Sequence, residues 1–171
     1  MKKTGPAAPL PPISEFHLPR YRQLTDVGLY LEQVVRLLNS YLAPLDEGEL
    51  TASMVSNYVK QKLLPRPDKK LYYAPHLARL IFIGAAKTAA ALDDVRLLLE
   101  LLEREDLPRA YDAFCDSFEG AVSRAFALSD AAAEKDAPQE AGKTLLQRLV
   151  DTAADKVYLD HLLREYRERA E

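Results

Sequence analysis

Tryptophan is absent from the 171-residue chain, and cysteine occurs once, as Cys115. A lone thiol cannot close an internal disulfide, which fits a reducing cytoplasm. It also cannot supply the cysteine sets that soft-metal sites use. Glycine is scarce at six residues, and neither a Gly-rich phosphate loop nor a Gly-x-Ser-x-Gly elbow occurs. His17, His76 and His161 lie far apart and have no Cys or carboxylate at metal-ligand spacing. No metal, cofactor or catalytic nucleophile–base pair is therefore expected, and the chain does not read as an enzyme. No apolar run approaches the roughly 18 residues of a membrane span. Lys2 and Lys3 are not followed by the apolar stretch of a secretory signal. The expectation is a cytoplasmic protein with no membrane partner.

What is present favours helices. Apolar residues make up 48% and charged residues 29%, with a net charge of −3. Leu and Ala are abundant, so an all-α fold with a real core is expected. Residues 1–17 hold a proline-rich run with no periodicity, read as a flexible arm whose Lys2 and Lys3 could reach an anion. Phe16, Leu18 and Tyr21 give the following segment apolar bulk to bury, so residues 17–24 read as a tethered loop. A helix is expected over 26–42, capped by Thr25 or Asp26, with Val27, Leu31, Val34, Val35, Leu38 and Leu42 on its apolar side.

The most distinctive stretch is 50–72. From Thr51 to Lys87 there are seven Lys or Arg residues (Lys60, Lys62, Arg66, Lys69, Lys70, Arg79 and Lys87) against one acid, Asp68. Such an excess inside an acidic chain points to an anionic partner, although a solvated face has the same composition. Val55, Tyr58, Val59 and Leu63 recur at helical steps as an apolar stripe, and Thr51 is a plausible N-cap. Ser53, Ser56, Asn57 and Lys60 recur on the other face. Amides can bond adenine edges, and hydroxyls and ammonium groups reach phosphates. Pro65 and Pro67 then stop the helix and hold the chain extended or turned, with Lys69 and Lys70 at its tip.

At these residues the chain resembles the MerR-type winged helix-turn-helix. Tyr58, Leu63, Leu64, Pro65 and Pro67 match the close of that family's second helix, and Lys70 and Tyr72 its wing end. Leu77, Leu80, Ile81 and Ile83 match its third helix, and residues 91–98 its fourth. Two positions depart: the family has Arg at Ser56 and Gly at Lys62. A longer pattern, from His17-Leu18-Pro19-Arg20-Tyr21 through residues 28–34, resembles a bacterial family of predicted DNA-binding proteins described as a domain of unknown function. The resemblance implies a MerR-like winged domain over 18–104. Helix 51–63 and a basic wing over 65–72 would contact double-stranded DNA through Ser53, Ser56, Asn57, Lys60, Lys62, Arg66, Lys69 and Lys70.

Farther on, Gly84 with Ala85 and Ala86 should let two helices approach closely, and residues 92–104 read as another helix. Charge reverses between Thr88 and Glu119, where nine acids face three bases. Such a surface would be repelled by phosphates, and simple solvation is its plain reading. Leu107, Tyr111, Phe114, Phe118, Val122 and Ala125 repeat at helical spacing, as a ligand-pocket lining or as plain core or a dimer seam. A break is expected over 130–142, then a helix over 143–169. Residues 105–171 are expected to dimerise and to leave room for a small-molecule effector. The reading is a homodimeric DNA-binding transcriptional regulator. Its alternative is a helical protein-interaction module that has lost DNA binding.

Overall fold

A computed structural model of the protein describes residues 13, 16–45, 48–104, 106–133 and 138–170, with backbone alone for 127–133, 138–144 and 170. Almost all of the proline-rich arm, Lys2 and Lys3 included, lies outside the described residues. Among the described residues six α-helices follow one another: α1 (Leu31–Leu42), α2 (Ala52–Lys60), α3 (Ala74–Ala86), α4 (Leu92–Glu103), α5 (Leu107–Ala133) and α6 (Pro138–Ala170). The chain forms two compact units, residues 1–123 and 124–171.

The core of the first unit is built around α3. Leu77, Ala78, Leu80, Ile81 and Ile83 on this helix are all but removed from solvent. It starts where Tyr73 ends an extended segment and Pro75 enters the first turn, a position that has no use for an amide N–H. His76 Nδ1 accepts the Tyr73 N–H at 3.1 Å, a return bond that satisfies a helix-start donor. Gln33 Oε1 does the same for Tyr30 at 2.8 Å. Packing of α1 against α3 is close because of Gly84: a methyl group there would sit 2.6 Å from Leu42 Cδ1.

Helix α1 begins at Leu31 rather than near Asp26. Leu29 and Tyr72 exchange both backbone hydrogen bonds, at 2.8 Å each, and this holds residue 29 extended. A side chain at Gly28 would meet Leu71 Cβ at 2.8 Å, so the strand-like contact needs glycine beside it.

The expected MerR-like winged helix-turn-helix is not found. Among the described residues there is no β-strand, only two isolated bridges, Leu29 with Tyr72 and Asp68 with Leu71. The wing expected over 65–72 is instead a tight turn. Asp68 and Leu71 close it by reciprocal bonds of 3.1 and 2.7 Å, around Lys69 (φ 47°) and Lys70 (φ 69°). Pairing stops at these isolated bridges, so no ladder of strands forms. Helix α2 likewise stops at Lys60, not Leu63.

The aromatic stripe of α5 is core, not a pocket lining. Phe82 and Phe114 meet edge to face at 4.9 Å between ring centroids, Phe114 stacks on Phe118 at 5.7 Å, and Phe118 reaches Phe16 at 5.8 Å. The segment before α1 is tethered as its bulk implied: Leu18 is fully buried, and Phe16 and Leu24 nearly so.

Candidate functional site

The candidate site is the basic surface where α2 ends. Thr51 caps the helix start, its hydroxyl accepting the Met54 N–H at 3.2 Å. Val55, Tyr58 and Leu63 turn into the core. Ser53, Asn57 and Lys60 are exposed on the opposite face and Ser56 is half-buried, so the polar face stands free as its spacing implied.

The helix stops by a Schellman arrangement. Leu63 N–H donates to Tyr58 O at 2.9 Å and Lys62 N–H to Val59 O at 3.1 Å. That geometry requires a left-handed residue, and Lys62 supplies it at φ 61°. Glycine is the usual occupant because a Cβ there crowds the following carbonyl, at about 1–2 kcal/mol. The lysines at 69 and 70 bear the same strain in the tight turn. Arg96 of α4 braces the α2 end from outside, donating from Nη2 to Gln61 O at 3.0 Å.

An open groove of about 360 Å³ lies beside this turn, with Val59, Lys60, Lys62, Leu63, Pro65 and Arg66 among its walls. A second recess of about 260 Å³ continues it toward Arg96 and Leu99, sharing Lys62 and Leu63. Glu103 borders both and is held by Arg79. Lys60, Lys62, Arg66, Lys69 and Lys70 have no carboxylate partner among the described residues, whereas Arg20, Arg79, Lys156 and Arg169 each have one. Six of the eight residues expected to contact DNA lie on the α2 face turned from the core or at the groove. Lys69 and Lys70 stand at the separate turn tip.

A polar cluster that went unrecognised in the sequence lies on α5. Asp112, Asp116 and Glu119 share one helix face and hold the segment before α1. Glu119 Oε1 accepts the Leu18 N–H at 2.7 Å and the Arg20 guanidinium at 2.7 Å. Asp116 accepts from Arg20 at 2.6 Å, and Asp112 from the Tyr21 N–H at 2.7 Å. Buried Tyr111 donates its hydroxyl to Pro19 O at 2.9 Å. Burial works against the Glu119 carboxylate, but Arg20 and the Leu18 amide outweigh it and hold its pKa low. The signal was present as acids four and three residues apart on one helix face, but spacing alone cannot say what an acidic face meets. This cluster is structural, since its oxygens are already occupied by the chain's own donors.

Cys115 is fully buried beside Tyr111, and burial pushes its thiol up to about 11. No group of three or more His, Cys, Asp or Glu residues placed to hold a metal occurs among the described residues. No helix among them is long and apolar enough to cross a membrane.

Among the described residues these features define a helical module with an unpaired basic cluster at the end of α2. The sequence pattern of the family described as Domain of unknown function (DUF1836) matches residues 19–114, and the chain belongs to that family. No curated protein and no solved structure matches it. The family part of the sequence resemblance therefore holds, while the winged part does not. The reading as a DNA-binding transcriptional regulator is corrected with it: with no strand among the described residues, 65–72 included, there is no wing to lie along a duplex beside the helix. The homodimer was expected in order to read a two-fold DNA site, and it loses that ground as well.

Proposed function

We propose that this protein is a helical protein-interaction module. The observation that carries this reading is the apolar stripe of α6. Leu146, Leu149, Val150 and Val157 are 59–69% exposed. With exposed Ala153 they fall within roughly a 100° arc of the helix, along about 17 Å of its length. Buried Leu163 and the partly buried Arg148, Lys156, Leu159 and Tyr166 occupy a different arc, roughly 100° away, on which Leu145 is nonetheless 72% exposed. Leu163 is the buried point of the described part of the helix, and the apolar run from Leu146 to Val157 stays in water. Scattered exposed leucines are ordinary, but a continuous stripe at steps of three and four is the pattern by which one helix receives another. The occupant we assign is an amphipathic helix of another protein.

A photo-crosslinking residue at Val150 in living cells tests this. The expected result is one discrete cross-linked partner, lost when Leu146→Asp and Val157→Asp are introduced together while helix content by circular dichroism is unchanged. Cross-links only to second copies of the chain, or an unchanged pattern in the double variant, would overturn it.

A further inference from the structure

We infer that the groove at the end of α2 docks a short acidic and aliphatic segment of a partner protein. This builds on the interaction-module reading but uses a surface in the other compact unit.

Three observations converge on it. The first is charge left unpaired. Lys60, Lys62 and Arg66 border the groove with no carboxylate partner among the described residues, in a protein whose net charge is −3. The acid that does reach the groove, Glu103, is taken by Arg79. The second is strain. Lys62 occupies a left-handed position that glycine would fill at lower cost, and strained residues persist where the side chain is needed. The third is shape. A recess of about 360 Å³ is in the size range of ligand sites, and its walls include Val59, Leu63 and Pro65 as well as the cations.

That mixture selects a peptide over a nucleic acid. A phosphate backbone offers nothing to an apolar wall, and along the adjoining recess it would meet Glu100 and Glu103. A peptide can turn a carboxylate to Lys60, Lys62 and Arg66 while laying a leucine-sized side chain against Val59 and Pro65. Charge-assisted bonds then fix its register, and the apolar contact excludes water from them.

The test is fluorescence anisotropy with the full chain and three probes. These are a twelve-residue peptide of alternating glutamate and leucine, its glutamine–leucine counterpart, and a random duplex DNA. The expected order is acidic peptide bound at least tenfold more tightly than either other probe. Lys62→Gly should weaken the acidic peptide at least threefold while raising the thermal midpoint, and Arg66→Gln should weaken it with the fold unchanged. The gain in midpoint separates lost docking from lost structure. Leu146→Asp with Val157→Asp should leave this binding unaltered, so failure of the α6 reading does not touch it. No binding of the acidic peptide, equal binding of the glutamine peptide, tighter binding of the duplex, or full binding by Lys62→Gly would each overturn the proposal.

Discussion

Replacing Lys62 by glycine should stabilise the protein, and the size of the gain follows from the backbone. Lys62 sits at φ 61°, in the Schellman arrangement that ends α2. Removing its Cβ recovers about 1–2 kcal/mol of left-handed crowding. Glycine's extra freedom in the unfolded chain takes back about 0.5–1 kcal/mol. The net gain is about 0.5–1 kcal/mol, which in a chain of 171 residues raises the thermal midpoint by about 2 °C. Loss of a cation from a cluster of cations would stabilise as well, so the comparison needs Lys62→Ala, which removes the charge and keeps the Cβ. Calorimetric unfolding of both variants gives the answer. A glycine variant melting at or below the alanine variant would refute the strain argument, and with it one of the three supports for the peptide groove.

Other perturbations have equally definite outcomes. Glu119→Ala strands the Leu18 N–H and leaves Arg20 with Asp116 as its remaining carboxylate partner, and should cost about 2 kcal/mol in urea unfolding, with amide exchange accelerated first at Leu18 and Tyr21. His76 has a pKa lowered from 6.5, chiefly by burial, and its Nδ1 must be unprotonated to accept the Tyr73 N–H. Its neutral form therefore gives full stability above about pH 6.5. That stability falls as pH drops from there toward the lowered folded value, because the unfolded chain takes up the proton first. His76→Gln keeps an acceptor at the same helix position and should flatten this part of the pH profile. Cys115, with its thiol near 11 against an ordinary 9.0, holds about a hundredfold less thiolate than a free cysteine. It should resist alkylation at neutral pH until the protein unfolds, and fast labelling of the native chain would contradict its burial.

Much of the helical layout was legible from periodicity and punctuation. The cap at Thr51 and the close approach at Gly84 follow from local chemistry that works without knowledge of the rest of the fold. The burial of Leu18 followed from bulk alone. What misled was the stretch after α2. A basic tip between prolines has the composition of a wing, but a wing is a ladder between strands. Whether residues 65–72 pair over several residues or only across Asp68 and Leu71 depends on partners distant in sequence. The acidic face of α5 was opaque for a related reason. Asp112, Asp116 and Glu119 look solvated until the chain near Arg20, some ninety residues upstream, is brought against them.

That last contact bears on how the chain is made. The bond from the Leu18 amide to Glu119 spans 101 positions, so a nascent polypeptide emerging N-terminus first has its anchor point exposed long before the mooring exists. Residues 31–103 can assemble their local turns during this wait, yet the buried seat of Leu18 is completed only once the ribosome has released α5. A chain arrested or clipped between α4 and α5 would therefore carry an open apolar seam, which quality-control proteases would find before any partner does.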